Sequence, residues 1–248
     1  MNDMKNIRDY DNYIFDFYGT LVCLWTNERK KYLWCTLADL FRSQKAYYHA
    51  GELQKRYLRY CRQITERMQR EYDHQLIEID LLEVFDLLYK NKGVTADKET
   101  LKETAVIFRL LSTESVSLFP DAVNLLKRLR ENGKKVYLLS NAQAVFTEYE
   151  MAQLGIKGLF DGILYSSDAG YRKPSERLYG KLLEDYGLDT DECVMIGNDA
   201  NSDIKGAHDM GIDSIYLHTV QSGRYPDHLP DDCREYESLS ALLSELMG

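Results

Sequence analysis

A chain of 248 residues suits one large domain, or one core domain that carries an insertion. Its 40 acidic against 31 basic side chains leave a net charge of −9, which is not the electrostatic footprint of a nucleic-acid binder and gives no support to binding at an anionic membrane surface. Hydrophobic residues at 44% and charged residues at 29% are an ordinary globular mixture with enough apolar material for a sizeable core. No apolar run reaches the length needed to span a bilayer. The cysteines, Cys23, Cys35, Cys61, Cys193 and Cys233, are odd in number with no C-x-x-C pair, so neither a disulfide framework nor a zinc site is indicated. The polar, mixed-charge start MNDMKNIRDYDNY does not read as a signal peptide, and a cytoplasmic location is the expectation by elimination.

In chain order, the first element is YIFDF (13–17), an apolar run that reads as a buried strand. The stretch from 24 to 112 shows no clear strand. It holds helical windows rich in Lys, Arg, Glu, Tyr and Leu, clearest at 52–72 and 81–90, and no proline precedes Pro120. After it, DAVNLLKRLRE (121–131) places Val123, Leu125, Leu126 and Leu129 at helical spacing, with Asp121 expected to open the helix and Asn132-Gly133 to close it. Strands follow at KVYLLS (135–140), GILYSS (162–167), CVMIG (193–197) and SIYLH (214–218), nearly apolar throughout as parallel strands covered on both faces should be. Helices are expected at 175–186 and 201–210, ended by Gly187 and Gly211. YPDHLPDDCREY (225–236) reads as a turn-rich loop and ESLSALLSELMG as a short amphipathic helix. Strand and helix in alternation predict an α/β fold, a doubly wound Rossmann-like parallel sheet, with a helical insertion just after the first strand.

In such sheets ligands bind beyond the carboxyl ends of the strands. Polar groups stand at those ends: Asp16 after the first strand, Ser140-Asn141 after the second, and Lys173-Pro174 after the third. Gly197-Asn198-Asp199 ends the fourth, with Asp203 four residues on. Each alone is ordinary turn or cap chemistry. Their order, at the ends of successive strands, is the informative feature.

These residues resemble the four motifs of the haloacid dehalogenase (HAD) superfamily. The matches are Asp16-Phe17-Tyr18-Gly19-Thr20, Ser140-Asn141, Lys173-Pro174, and Gly197-Asn198-Asp199 continuing to Asp203. The resemblance covers residues 10–22 and 115–220. It implies an α/β core at 1–23 and 113–248 with a helical cap domain at 24–112. It further implies Asp16 as a nucleophile forming a covalent aspartyl intermediate, Thr20 orienting the loop, Ser140 and Asn141 binding the substrate, and Lys173 neutralising charge. A Mg²⁺ cofactor would be held by Asp16, Asp199 and the Tyr18 carbonyl, with Asp203 beside the metal or holding Lys173. Independently of the family, convergence of these ends would set three carboxylates against one ammonium. Two carboxylates about 4 Å apart repel by roughly 4 kcal/mol at an effective dielectric near 20, so either one is protonated or a cation binds. Oxygen-only ligands favour Mg²⁺.

Tyr18 divides the reading. Phosphatases of this family carry a second Asp two residues after the nucleophile, to protonate the leaving alcohol. A phenol with a pKa near about 10 is a poor substitute, and loss of general acid–base catalysis costs about 10²–10⁴-fold. Asp-x-Tyr-Gly-Thr also resembles the dehalogenase branch, which releases halide without metal and needs a cap arginine, for which Arg42, Arg56 and Arg59 are candidates. Asp199 argues against that branch, because it would repel a haloacid carboxylate. The expectation is a Mg²⁺-dependent phosphohydrolase acting on a small phosphorylated metabolite. The alternatives are a 2-haloacid dehalogenase-like hydrolase and a catalytically weak binding or regulatory member. Oligomeric state is unreadable from the sequence.

Overall fold

The computed structural model describes residues 5–72, 76–223, 226 and 228–247. Six strands form one parallel sheet: β1 (Asn12–Phe15), β4 (Lys135–Ser140), β5 (Gly162–Tyr165), β6 (Cys193–Gly197), β7 (Asp213–Leu217) and β8 (Cys233–Tyr236). A separate two-stranded antiparallel ribbon pairs β2 (Val22–Thr26) with β3 (Thr113–Leu118). The sheet order is β5-β4-β1-β6-β7-β8. The chain therefore builds outward from β1 first through β4 and β5, then through β6, β7 and β8. The reversal puts the switch-point crevice at the carboxyl end of β1, between β4 and β6.

Side chains alternate across the sheet because a strand repeats every two residues. Tyr13 and Phe15 enter one buried cluster with α5 (Ala122–Glu131) and α10 (Leu239–Met247), while Ile14 enters the opposite cluster with α8 (Glu176–Tyr186) and α9 (Lys205–Asp209). Two further helices follow strands, α6 (Ala144–Gln153) after β4 and α7 (Ser166–Ala169) after β5. Of the expected helix at 201–210, the first part is a wide π-type turn, Ala200–Ile204, and α9 completes it. Asp121 does precede α5, but in a left-handed conformation. Its carboxylate bonds Asn124 and the Ser240 hydroxyl instead of capping the helix backbone.

Between β2 and β3 the described residues form four helices: α1 (Lys31–Ser43), α2 (Ala50–Tyr72), α3 (Leu81–Asn91) and α4 (Lys98–Ser112). Asp80 and Asp97 cap α3 and α4 through backbone N–H groups of Leu82 and Thr100. The four helices bury their own aromatic-rich core, in which Trp34 lies 5.3 Å from Tyr57, and Phe41 stacks on Tyr89 at 4.3 Å between ring centroids. Phe146 of α6 joins this core from the sheet side. A second contact to the sheet side is the segment between α2 and α3, where the Glu78 N–H donates to Gly170 O and Leu76 O accepts from Arg172 N–H, both at 2.9 Å. Among the described residues no helix is long and apolar enough to cross a membrane.

Candidate active site

Asp16 follows β1 directly, and its N–H donates to Ile196 O on β6 at 3.0 Å, which fixes it at the rim of the sheet. The chain then reverses. Gly19 has φ +90°, and a Cβ there would lie 2.5 Å from Asn198 Nδ2, so the turn accepts only glycine. The reversal brings the buried Thr20 beneath Asp16, with its hydroxyl 3.3 Å from Asp16 Oδ2 and 3.2 Å from Asn198 Oδ1. Ser140, the last residue of β4, donates to Asp16 Oδ1 at 3.2 Å.

Lys173 is the centre of the site. Its ammonium donates to Asp16 Oδ1 at 2.7 Å and to Leu139 O at 2.8 Å, and it pairs with Asp203 Oδ1 at 2.7 Å. Three partners match its three hydrogens. The Lys173 and Asp203 side chains are each 1% exposed, so the ion pairs are dry. Burial works against the lysine's charge, but Asp16 and Asp203 together more than offset it and raise its pKa above the ordinary value. Burial holds the Asp203 carboxyl above the usual carboxylate range; Lys173 pulls it down and Asp16 pushes it further up. The other Asp203 oxygen accepts the Asp199 N–H at 3.0 Å. That approach requires Gly197, where a Cβ would lie 2.2 Å from Asp203 Oδ2. Asn141 grips the lysine loop from both sides: its Oδ1 accepts Lys173 N–H at 2.7 Å and its Nδ2 donates to Lys173 O at 3.2 Å.

One cavity of about 420 Å³ collects Asp16, Tyr18, Ser140, Asn141, Lys173, Asp199 and Asp203, that is, every sequence-derived site residue except Thr20, which lies underneath. Asn198 of the fourth motif also lines it, as do Arg172 and Gln221, which carry no motif in the sequence. Gln221 takes hold of β2, accepting Leu24 N–H at 2.9 Å and donating to Leu24 O. Arg42, Arg56 and Arg59 do not line this cavity. A larger cavity of about 780 Å³ between α4 and α6 contains none of the site residues.

Among the described residues, no group of three or more His, Cys, Asp or Glu side chains is placed to share an ion. A magnesium ion does not need one, since it binds through few carboxylates and keeps several waters. The oxygen donors suited to it at this rim are the Asp16 and Asp199 carboxylates and the Tyr18 carbonyl, which no hydrogen bond among the described residues reaches. Asp203 is different, because both its oxygens are engaged by Lys173 and the Asp199 amide.

Tyr18 lines the cavity, but its hydroxyl points into α6, where it donates to Glu150 Oε2 at 2.5 Å and lies 3.0 Å from Thr147 Oγ1. Burial and the neighbouring Glu150 carboxylate push the phenol far above its ordinary pKa. The single hydroxyl proton is thus directed at Glu150 and away from the cavity.

A parallel sheet with a carboxylate at the switch point, a buried lysine against it and an acid pair from the next strand defines a hydrolase-type α/β site. A family model described as haloacid dehalogenase-like hydrolase matches residues 10–211, and the chain belongs to that family. It is 26% identical over 156 residues to a Methanopyrus kandleri protein named glyceraldehyde 3-phosphate phosphatase, covering 62% of this chain and 66% of the relative. A Methanothermobacter thermautotrophicus protein of the same name is 29% identical over 111 residues, 45% of this chain and 49% of the relative. The chain thus spans less than two thirds of the length of either relative. A crystal structure described as a dehalogenase with intermediate complex superposes with a TM-score of 0.59 at 20% identity, covering 98% of this chain and 99% of that one. At that identity the likeness is one of fold.

Proposed function

We propose that this chain is a Mg²⁺-dependent phosphohydrolase acting on a small phosphorylated metabolite in the cytoplasm, with Asp16 as nucleophile. The observation that carries the reading is that Asp199, one oxygen of which accepts the Asn201 N–H at 2.9 Å, lines the same cavity as Asp16. A haloacid's carboxylate would be repelled there, whereas a divalent cation and its phosphoryl ligand would be drawn in. Asp16 Oδ2, lightly held by Thr20, attacks phosphorus while Lys173 holds Oδ1. The P–O bond to the leaving group breaks, and water then cleaves the aspartyl phosphate. Asp16, Asp199 and the Tyr18 carbonyl are the groups that would hold Mg²⁺, which when bound would supply charge neutralisation at the phosphoryl oxygens. Ser140 donates toward a phosphoryl oxygen, Asn141 positions the lysine loop, and Asp203 serves Lys173 rather than the metal. Helices α1–α4 act as the cap domain, with boundaries at 24–112, and limit water at the rim during transfer.

Because the Tyr18 proton faces Glu150, the enzyme favours leaving groups that need no proton. The two relatives named for glyceraldehyde 3-phosphate make triose phosphates the first natural substrates to try, and as alkyl phosphates, whose leaving group needs a proton, they should turn over more slowly than acetyl phosphate or p-nitrophenyl phosphate. The test is phosphate release from acetyl phosphate, p-nitrophenyl phosphate and glyceraldehyde 3-phosphate, with Mg²⁺ and with EDTA, in wild type and Asp16→Asn. Release that requires Mg²⁺ and Asp16 supports the reading. Chloride release from 2-chloropropionate in EDTA, or no turnover of any phosphate, overturns it.

A further inference from the structure

Two charged groups outside the four motifs meet at Tyr18. Glu150 lies on α6, in the sheet half of the molecule, and accepts the Tyr18 hydroxyl on Oε2 at 2.5 Å. Its Oε1 accepts Arg109 Nε at 2.6 Å. Arg109 is on α4, the last of the four inserted helices, and its guanidinium lies 5.3 Å from the ring centroids of both Tyr18 and Phe146. The Arg109 and Glu150 side chains are 14% and 7% exposed. A single connected set of bonds therefore joins the inserted helices, the α6 helix and a residue two positions from Asp16.

We infer that Arg109, Glu150 and Tyr18 form a latch that seats the inserted helices on the nucleophile loop, making these three positioning residues for Asp16. Tyr18 can reach α6 from the loop because its ring spans the distance; an aspartate at this position is too short to do so and would leave its carboxylate at the cavity. Arg109 is oriented by Glu150 and lies over the aromatic face of Tyr18, which attracts a cation. The pair is shielded from solvent, so its geometry is held more firmly than that of a surface ion pair. The carbonyl of Ser112, at the end of α4, bonds the Asn27 N–H just beyond β2 at 2.7 Å. A shift of Arg109 is thereby passed to both strands of the ribbon as well as to the loop.

The latch rests on the phosphohydrolase reading only for its catalytic consequence, so it is tested in two ways on the full chain. Amide hydrogen exchange over residues 16–22 and across the ribbon is compared in wild type, Tyr18→Phe, Arg109→Met, the double variant and the conservative Arg109→Lys. We expect exchange to accelerate by on the order of tenfold in each of the two disruptive single variants, no further in the double, and less in Arg109→Lys, since all break one connected unit. Exchange unchanged from wild type, or acceleration that multiplies in the double variant, overturns the latch. On p-nitrophenyl phosphate with Mg²⁺, kcat should fall by about tenfold in the same single variants, again without multiplying, while KM changes less than threefold. A loss of kcat/KM carried by a rise in KM alone, with kcat unchanged, overturns the positioning role. Wild type inactive on every phosphate refutes the phosphohydrolase reading alone, and the exchange cycle still decides the latch.

Discussion

Replacing Lys173 with methionine should unfold the site from its centre. The ammonium sits 2.7 Å from an oxygen of Asp16 and 2.7 Å from one of Asp203, so those two oxygens are at most about 5.4 Å apart. With the cation gone, the two carboxylates repel by about 3 kcal/mol at an effective dielectric near 20. Leu139 O also loses its donor. Breaking a buried pair by removing one partner typically costs about 3–5 kcal/mol, and the two figures agree. Burial already raises the Asp203 carboxyl, and Lys173 is what pulls it down. In Lys173→Met it rises further, so the folded chain keeps a proton that the unfolded chain releases. Stability then falls as pH climbs from the ordinary carboxylate range, starting near 3.8, up through the raised value, and recovers in acid. Guanidinium unfolding followed by circular dichroism at pH 5 and pH 7.5 reads both effects. Adding Asp203→Leu to the variant should recover part of the loss. A cost below about 1 kcal/mol, equal at the two pH values, would refute a dry Asp16–Lys173–Asp203 triad.

Two further outcomes follow from close approaches. Gly197→Ala places a methyl 2.2 Å from Asp203 Oδ2, so Asp203 must withdraw; a loss of about 1–3 kcal/mol in thermal or denaturant unfolding is expected, with a shift in kcat if Lys173 moves too. Tyr18→Asp restores a carboxylate at the leaving-group position but breaks the bond to Glu150. Its absolute rates should fall, while the rate on an alkyl phosphate relative to p-nitrophenyl phosphate should rise by about tenfold or more. An unchanged ratio would mean that proton donation does not limit the slow substrates.

The central sheet was legible because its strands are buried on both faces, so five of the six are nearly unbroken apolar runs. β8 was read as loop because CREY, an edge strand of four residues, is polar and only partly buried. The ribbon escaped notice for a related reason: most of β3 is exposed, so nothing alternates toward a core. α6 is the instructive miss. Its buried face consists of Phe146, Thr147, Glu150 and Met151, and two polar residues on the inner side erase the apolar period that would announce a helix. Those same residues hold Tyr18. Asp16, Ser140 and Asp199 could be found because each stands at or just past a strand end, where polar groups interrupt an apolar run; Lys173 and Asp203 lie farther along the segments that follow β5 and β6 and were legible through their spacing in the motifs. Glu150 and Arg109 gave no such signal, since an acid in one helix and a base in another, 41 positions apart, become partners only in three dimensions. Of the four inserted helices, α2 and α3 match the windows at 52–72 and 81–90 closely, while α1 and α4 fall in the stretch expected to be helical without bounds of their own.

The side-chain amide of Gln221 copies a peptide group, offering Leu24 one acceptor and one donor as a neighbouring strand would. It thereby shields the outer margin of β2 from pairing with a stray strand of another molecule. Gln221 and, from the same segment, Gly223 also line the cavity of Asp16. A change in this segment is therefore constrained at one position, where exchanging the glutamine would leave both polar groups of Leu24 without that partner and unprotect the margin of the ribbon.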